Sequence, residues 1–291
     1  MMKRVLLWLA FLSAGAAIAG PLSAQAQGGG DLVVSPTRVV FEDRTRSAKV
    51  TLANRGSATA TFRISLIDMS MDDNGQMSQA VPGETPPSSI PSSAQDLIRY
   101  APRQIDIAPG ATQVVRLSLR KPANLADGEY RSHMFFRAVP PEDAGRSVTD
   151  DTPLEKGELR IQLVPIYGVT IPIIVRNGKL STDAGMSNLV LSAATDTEPQ
   201  KLEIELTRAG DRSAFGDLMA IYRPANGGEE IVVGRISRVA VYTPNTKRRV
   251  VMTLRVPDGV TLKPGGTLHV NYRETDEEGG KVLAESDLAL N

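Results

Sequence analysis

Along most of this chain apolar and polar residues take turns, and a period of two is the signature of half-buried β-strands rather than of helices. The first such run is Leu32–Phe41, Leu-Val-Val-Ser-Pro-Thr-Arg-Val-Val-Phe. Ala48–Ala53 follows, then Thr59–Met69, where Phe62, Ile64 and Leu66 alternate with Arg63, Ser65 and Ile67. Ile98–Tyr100, Gln104–Ile107 and Thr112–Leu119 come in short succession, the last two separated by the turn Ala108-Pro109-Gly110. Tyr130–Val139 and a longer run, Leu159–Val175, complete the first half. Residues 80–95, rich in Pro and Ser, and the polar stretch Pro140–Gly157 read as loops. Asp73-Asn74-Gly75 is expected to reverse a hairpin, because Asn-Gly tolerates the positive φ of such turns.

After Arg176-Asn177-Gly178-Lys179, a cluster of turn residues, a fresh series begins. Its strands are expected at Leu189–Ala193, Lys201–Thr207, Gly216–Arg223, Glu230–Arg235, Val239–Tyr242, Arg248–Arg255, Thr267–Glu274 and near Lys281–Leu288. Strands repeating about every ten residues with Gly-rich punctuation point to β-sandwiches. The expected fold class is therefore all-β, with two sandwiches in tandem over residues 31–176 and 180–291, whose sequences are not close repeats of one another. Ahead of them, Met-Met-Lys-Arg, an uncharged run from Val5 to Ala19 and Ala24-Gln25-Ala26 have the layout of a secretory signal peptide over residues 1–26, cleaved after Ala26. That apolar run is shorter than the roughly 20 residues a membrane span needs, so export without membrane insertion is the expectation.

Composition narrows the chemistry. The 291 residues contain no cysteine, which removes disulfides and thiol catalysis, and a formal net charge of +0 gives no reason to expect nucleic acid as a partner. Only two histidines are present. His133 and His269 both fall in strand patterns, where a histidine is far more often a face residue than a general base. Paired carboxylates occur only in Asp150-Asp151 and Asp276-Glu277-Glu278, loop clusters for which solvation is sufficient explanation. No glycine-rich phosphate loop precedes a helix. An enzyme is not expected, nor any cofactor. Asp72-Asp73-Asn74-Gly75 lacks the later ligands and bidentate glutamate of a calcium loop and reads as a turn. Met69, Met71 and Met77 beside it have the softness to hold Cu(I), although methionine also fills irregular cores, and core packing is the preferred reading. Lys247-Arg248-Arg249 is taken as a solvated strand edge.

Two features resist so plain an account. Strand geometry would place Leu32, Val34, Pro36, Arg38 and Val40 on one face and Val39 and Phe41 on the other. A permanently charged guanidinium among residues that favour burial requires an anion. In the run Leu159–Val175, Leu159, Ile161 and Leu163 alternate with Arg160 and Gln162, while Pro165 and Pro172 argue for a sheet edge. A long apolar edge is an aggregation liability unless another chain covers it.

Taken in order, these pieces resemble the periplasmic pilus-assembly chaperones of the chaperone–usher pathway, two-domain immunoglobulin-like proteins. The resemblance rests on Pro36-Thr37-Arg38-Val39-Val40-Phe41, Asn54 after the second strand and Ala108-Pro109-Gly110 before Val115-Arg116-Leu117. Tyr130-Arg131 leading to Arg137-Ala138-Val139-Pro140-Pro141, and Leu159-x-Ile161-x-Leu163, complete it. It implies two immunoglobulin-like sandwiches, a periplasmic location, pilin-like or spore-coat-like subunits as clients and an outer-membrane usher as acceptor. It further implies that Leu159, Ile161 and Leu163 are donated to a client as a missing strand, each side chain contributing about 1.5–3 kcal/mol before the costs of association. Arg38 matches the arginine that binds the client's C-terminal carboxylate between the domains. The family's second cation, a donor-strand lysine, aligns with Pro172 or Gly168, neither of them basic. Together with a weakly matching second half, this implies a divergent or archaic branch. A self-capping dimer of the free protein, and a structural or adhesive sandwich protein without a pilin client, stay open as alternatives.

Overall fold

The computed structural model describes residues 31–81, 83–140, 166–193, 195 and 198–291. The signal-peptide reading of residues 1–26 and the run Leu159, Ile161 and Leu163 lie outside them. Among the described residues helix is confined to three single 3-10 turns, and no helix is long and apolar enough to cross a membrane.

The first sandwich packs two sheets face to face. One joins β1 (Leu32–Ser35), β3 (Ser47–Asn54), β9 (Thr112–Leu119) and β7 (Ile98–Ala101) in that order. The other joins β2 (Val39–Phe41), β11 (Gly168–Asn177), β10 (Gly128–Val139), β4 (Ala60–Ile67) and β8 (Gln104–Ile107). Their inward residues, among them Phe41, Leu52, Phe62, Ile107, Met134, Phe136, Ile173 and Val175, form one continuous core. At about 1.5–3 kcal/mol for each large side chain taken from water, that core is the main source of stability. Asn54 is buried at its rim, donating from Nδ2 to the Ala58 and Ile107 carbonyls at 2.8 and 2.9 Å while its Oδ1 accepts from the Gly56 amide at 2.9 Å. It closes three backbone groups that a turn would otherwise leave unpaired.

The opening run is two strands, not one. β1 pairs antiparallel with β3, whereas β2 crosses to the other sheet and pairs parallel with β11. Pro36, with no N–H to offer a ladder, lies in the break. The crossing resets the alternation, so Val34, Val39 and Phe41 all enter the first core. The expected common face of Leu32, Val34, Pro36, Arg38 and Val40 is thereby corrected. Arg38 and Val40 face away from the core that holds Val34.

The long edge strand is also corrected in part. Among the described residues, β11 has an unpaired edge only up to Pro172, because from Ile173 to Val175 it is covered by β2. The hairpin β5 (Met69–Met71) and β6 (Met77–Gln79) stands apart from both sheets. Its turn is closed by Asp72, whose Oδ1 accepts the Asn74 and Gln76 amides at 2.9 and 2.8 Å, and Gly75 takes φ 81°.

The second sandwich consists of β12 (Thr182–Leu191), β13 (Lys201–Gly210) and β16 (Lys247–Thr253) against β15 (Ile231–Val241), β14 (Ala214–Arg223), β17 (Thr267–Glu274) and β18 (Val282–Ala289). Leu202, Ile204, Leu206, Leu218, Met252, Leu268, Val270 and Tyr272 fill its core, and the buried Tyr272 hydroxyl donates to the Val239 carbonyl at 2.9 Å.

Candidate functional site: a cleft between the sandwiches

Strand parity decides what lies between the two sandwiches. On β11, Ile173 and Val175 point into the first core, so Ile174 and Arg176 point out of it. β10 runs antiparallel beside it, with Arg131 opposite Ile174 and Glu129 opposite Arg176. Arg38, Val40, Ile174, Arg176, Glu129, Arg131 and His133 thus share the outer face of one sheet end. Most of them are buried, because the second sandwich covers that face.

Part of the interface is apolar. Met71, Ile174, Phe215, Ala240 and Tyr242 form a small buried cluster, with Val40 and Met77 packed against it. Met71 and Met77 are thus engaged in packing, in line with the preferred reading of that methionine group. Arg131 crosses beside this patch, fully buried, with its guanidinium 4.3 Å from the centre of the Tyr242 ring. It donates to the Met69 and Thr243 carbonyls, each at 3.2 Å. Burial lowers its pKa, against the pull of Tyr242, Glu129 and Asp68. His133 packs edge-on to Tyr242 at 6.5 Å between ring centres, and burial followed by the charge of Arg131 holds its pKa down at about 3. It is a neutral face residue, as its strand context indicated.

The rest is ionic. Arg38 leaves the β1–β2 break, lies 3.9 Å over the Phe215 ring and donates from Nη1 to Glu278 Oε1 at 2.6 Å. Arg176 donates from Nη1 to Glu278 Oε2 at 2.9 Å and Glu42 Oε2 at 2.8 Å, and from Nε to Glu129 Oε2 at 3.1 Å. Arg212, in the turn between β13 and β14, reaches Glu278 Oε2 at 2.7 Å and Glu274 Oε1 at 3.3 Å. Glu129 also accepts the hydroxyls of Ser213 and, at 3.4 Å, Thr243, so one buried carboxylate of the first sandwich holds two residues of the second. Burial of Glu278 works against its ionisation, but Arg38 and Arg176 outweigh it and hold its carboxyl below the usual range. Burial likewise works against the Arg176 charge, and Glu278 and Glu129 overcome it, raising its pKa. Charge-assisted bonds of this kind, shielded from water, are directional and strong.

Two expectations change here. Glu278, read as part of a solvated acidic loop, has a side chain only 8% exposed, because the turn after β17 folds it against three arginines. Lys247-Arg248-Arg249 is not uniformly a solvated edge. Lys247 pairs with Asp73 at 3.2 Å and Arg249 with Glu203 at 2.7 Å at the surface. Arg248 turns in, donates to the Ala240 carbonyl at 2.7 Å and lies where any side chain at Gly75 would have to go.

Arg38 thus has the anion it needed, supplied from 240 residues away. Arg176, Arg212, Glu129 and Glu278 were not singled out from the sequence. The available signal was Glu129-x-Arg131-x-His133, three ionisable groups on the outer face of a strand whose inner face carries Met134 and Phe136.

No family model matches the sequence, and no curated protein is similar to it. Among solved structures the chain is similar to the YadV chaperone, with 16% identity, a TM-score of 0.40, and 89% of this chain and 100% of that one covered. It is similar to the CupB2 chaperone of Pseudomonas aeruginosa at 14% identity and TM-score 0.40, over 89% of this chain and 100% of that one. It is also similar to a chain of the CsuC–CsuE chaperone–tip adhesion subunit pre-assembly complex, from the archaic chaperone–usher Csu pili of Acinetobacter baumannii. There the identity is 12% and the TM-score 0.42, over 87% of this chain and 97% of that one. At such scores the likeness carries no argument about chemistry, which rests on the residues of the cleft.

Proposed function

We propose that this protein is a non-enzymatic periplasmic chaperone that holds pilus or fimbrial subunits and passes them to an outer-membrane usher. The observation that carries the proposal is the state of Arg38. Its guanidinium lies over an aromatic ring in the cleft between two sandwiches and is bonded to a carboxylate. That is the chemistry required to hold the free C-terminus of an extended client strand. The client is then paired along the edge that ends at β11, with Leu159, Ile161 and Leu163 filling the groove of a subunit that lacks one strand. The edge of β11 before Ile173 is left uncovered by β2, which supports a strand-addition route. The chaperone–tip adhesion complex among the similar structures is an assembly of the kind proposed.

One observation favours a second reading. Because Glu278 already neutralises Arg38, the cleft has a counter-ion without a client, as it would in a structural or adhesive sandwich protein. Co-expression with a pilin-like subunit encoded nearby separates the two. Arg38→Ala and Leu163→Glu are each expected to reduce recovery of soluble subunit at least tenfold while the variant keeps its own β-sheet circular dichroism. Unchanged recovery with both folded variants would falsify the chaperone reading in favour of the structural one.

A further inference from the structure

Arg38 and Arg176 belong to the first sandwich and Arg212 to the second, yet all three end on one side chain. Both oxygens of Glu278 are used, Oε1 by Arg38 at 2.6 Å and Oε2 by Arg176 and Arg212 at 2.9 and 2.7 Å. Donors are left over around it. Arg38 Nε and Nη2, Arg176 Nη2 and Arg212 Nε are buried without a hydrogen-bond partner among the described residues. The Arg38 and Arg176 side chains are only 10% and 2% exposed, so these N–H groups do not face open water. A carboxylate delivered by the present turn therefore satisfies only part of what the guanidiniums offer, and unmet buried donors carry a free-energy cost.

The support of Glu278 contrasts with the rigidity of its partners. It ends a three-residue 3-10 turn, Asp276–Glu278, that contains no buried residue and is followed by Gly279 and Gly280 at φ 113° and 68°. Removing its side chain from the cleft requires rearrangement of one exposed turn and opens neither core. Charge decides between addition and exchange. Three guanidiniums already face Glu42, Glu129, Glu274 and Glu278. A further carboxylate entering beside them would be repelled, whereas one that replaces Glu278 leaves the balance unchanged.

We infer that Glu278 is a built-in stand-in for the terminal carboxylate of a client chain. It fills a three-arginine site of Arg38, Arg176 and Arg212 in the free protein and is exchanged for the client's terminus on binding. This rests on the reading of Arg38 as the carboxylate anchor. It also gives Arg38 two companions, Arg176 and Arg212, where Pro172 and Gly168 offer no cation. A site occupied by its own side chain binds an incoming carboxylate in proportion to the fraction of molecules with the stand-in withdrawn.

The smallest mimic of a free C-terminus, N-acetylglycine, tests the exchange when titrated into 15N-labelled full-length protein and followed through the arginine Nε–Hε resonances. N-acetylglycinamide, which has no charge, is the control. Glu278→Gln is expected to tighten N-acetylglycine binding at least tenfold over the parent, with the amide silent in both. Adding Arg38→Ala to that background is expected to abolish binding. Equal affinity in the parent and Glu278→Gln, with Arg38→Ala still abolishing binding, overturns the stand-in and leaves the anchor intact. No carboxylate binding in Glu278→Gln, or binding indifferent to Arg38, overturns both. If Glu278→Gln does not fold, Glu278→Asp decides in the same way, since it withdraws the carboxylate by one methylene while keeping its charge. Tighter binding upholds the exchange and unchanged binding ends it.

Discussion

The two parts of the interface between the sandwiches solve one problem by different physics. At one end Met71, Ile174, Phe215, Ala240 and Tyr242 exclude water by shape, an attraction that tolerates small rotations. At the other, Arg176 of the first sandwich is bonded to Glu278 of the second, with side chains 2% and 8% exposed, and this contact tolerates very little. A buried ion pair adds little net stability over a well-packed apolar substitute, yet losing one partner is severe, because the survivor is stranded without solvent. The apolar end therefore holds the sandwiches together, and the ionic end determines the angle at which they are held.

The largest test of that division is Arg176→Ala. It takes the bonded cation from the buried Glu129 carboxylate and one of three from Glu278, and should cost about 3–5 kcal/mol in urea unfolding. Loss of less than 1 kcal/mol would mean that water already reaches the ionic end. Met71→Ala comes next, at about 2–3 kcal/mol, from lost burial and a partly filled cavity. Its cost should be the same at pH 5 and pH 8, since nothing it touches in the apolar cluster titrates in that range. A cost that varied with pH would show the two ends to be coupled.

The third effect, the smallest when taken per pH unit, separates the ends by acidity. His133 has a pKa of about 3 in the folded protein, whereas an unfolded histidine titrates near 6.5. Between those values the unfolded chain binds the extra proton, so stability falls as pH drops below about 6.5, by up to about 1.4 kcal/mol per unit. Glu278 acts later. Its depressed pKa contributes stability that is present above the ordinary carboxylate pKa and is lost as pH falls through the folded value. Thermal melts between pH 7 and pH 3 should therefore show an early loss that His133→Phe removes and a later one that it leaves in place. A melt profile unchanged by His133→Phe would rule out a buried neutral imidazole.

The strands were legible because alternation is a local signal, carried in runs such as Phe62-Arg63-Ile64-Ser65-Leu66. Arg38 was legible as a cation in need of an anion, since its neighbours are apolar. Its partner was not, because Glu278 lies in an acidic turn that looks like any solvated loop until the chain returns it to the first sandwich. The crossing at Pro36–Arg38 was missed for a related reason. Leu32–Phe41 is apolar enough on both sides that a continuous strand and a strand that changes sheets read alike. Arg176 was hidden by its company, since beside Asn177 and Gly178 it looked like part of a turn.

The crossing also acts as a reading frame. Between Ser35 and Val39 the chain spends three residues moving from one sheet to the other, and that number sets the phase of everything after it. A chain shortened by Thr37 alone would have to choose which phase to keep. Preserving Val39 and Phe41 in the core would stretch the crossing and pull Arg38 off Phe215 and Glu278. Preserving the guanidinium in the cleft would turn Val39 and Phe41 out of the core. The placement of Arg38 in the cleft and the filling of the first core are therefore a single inherited quantity, and neither can drift without the other.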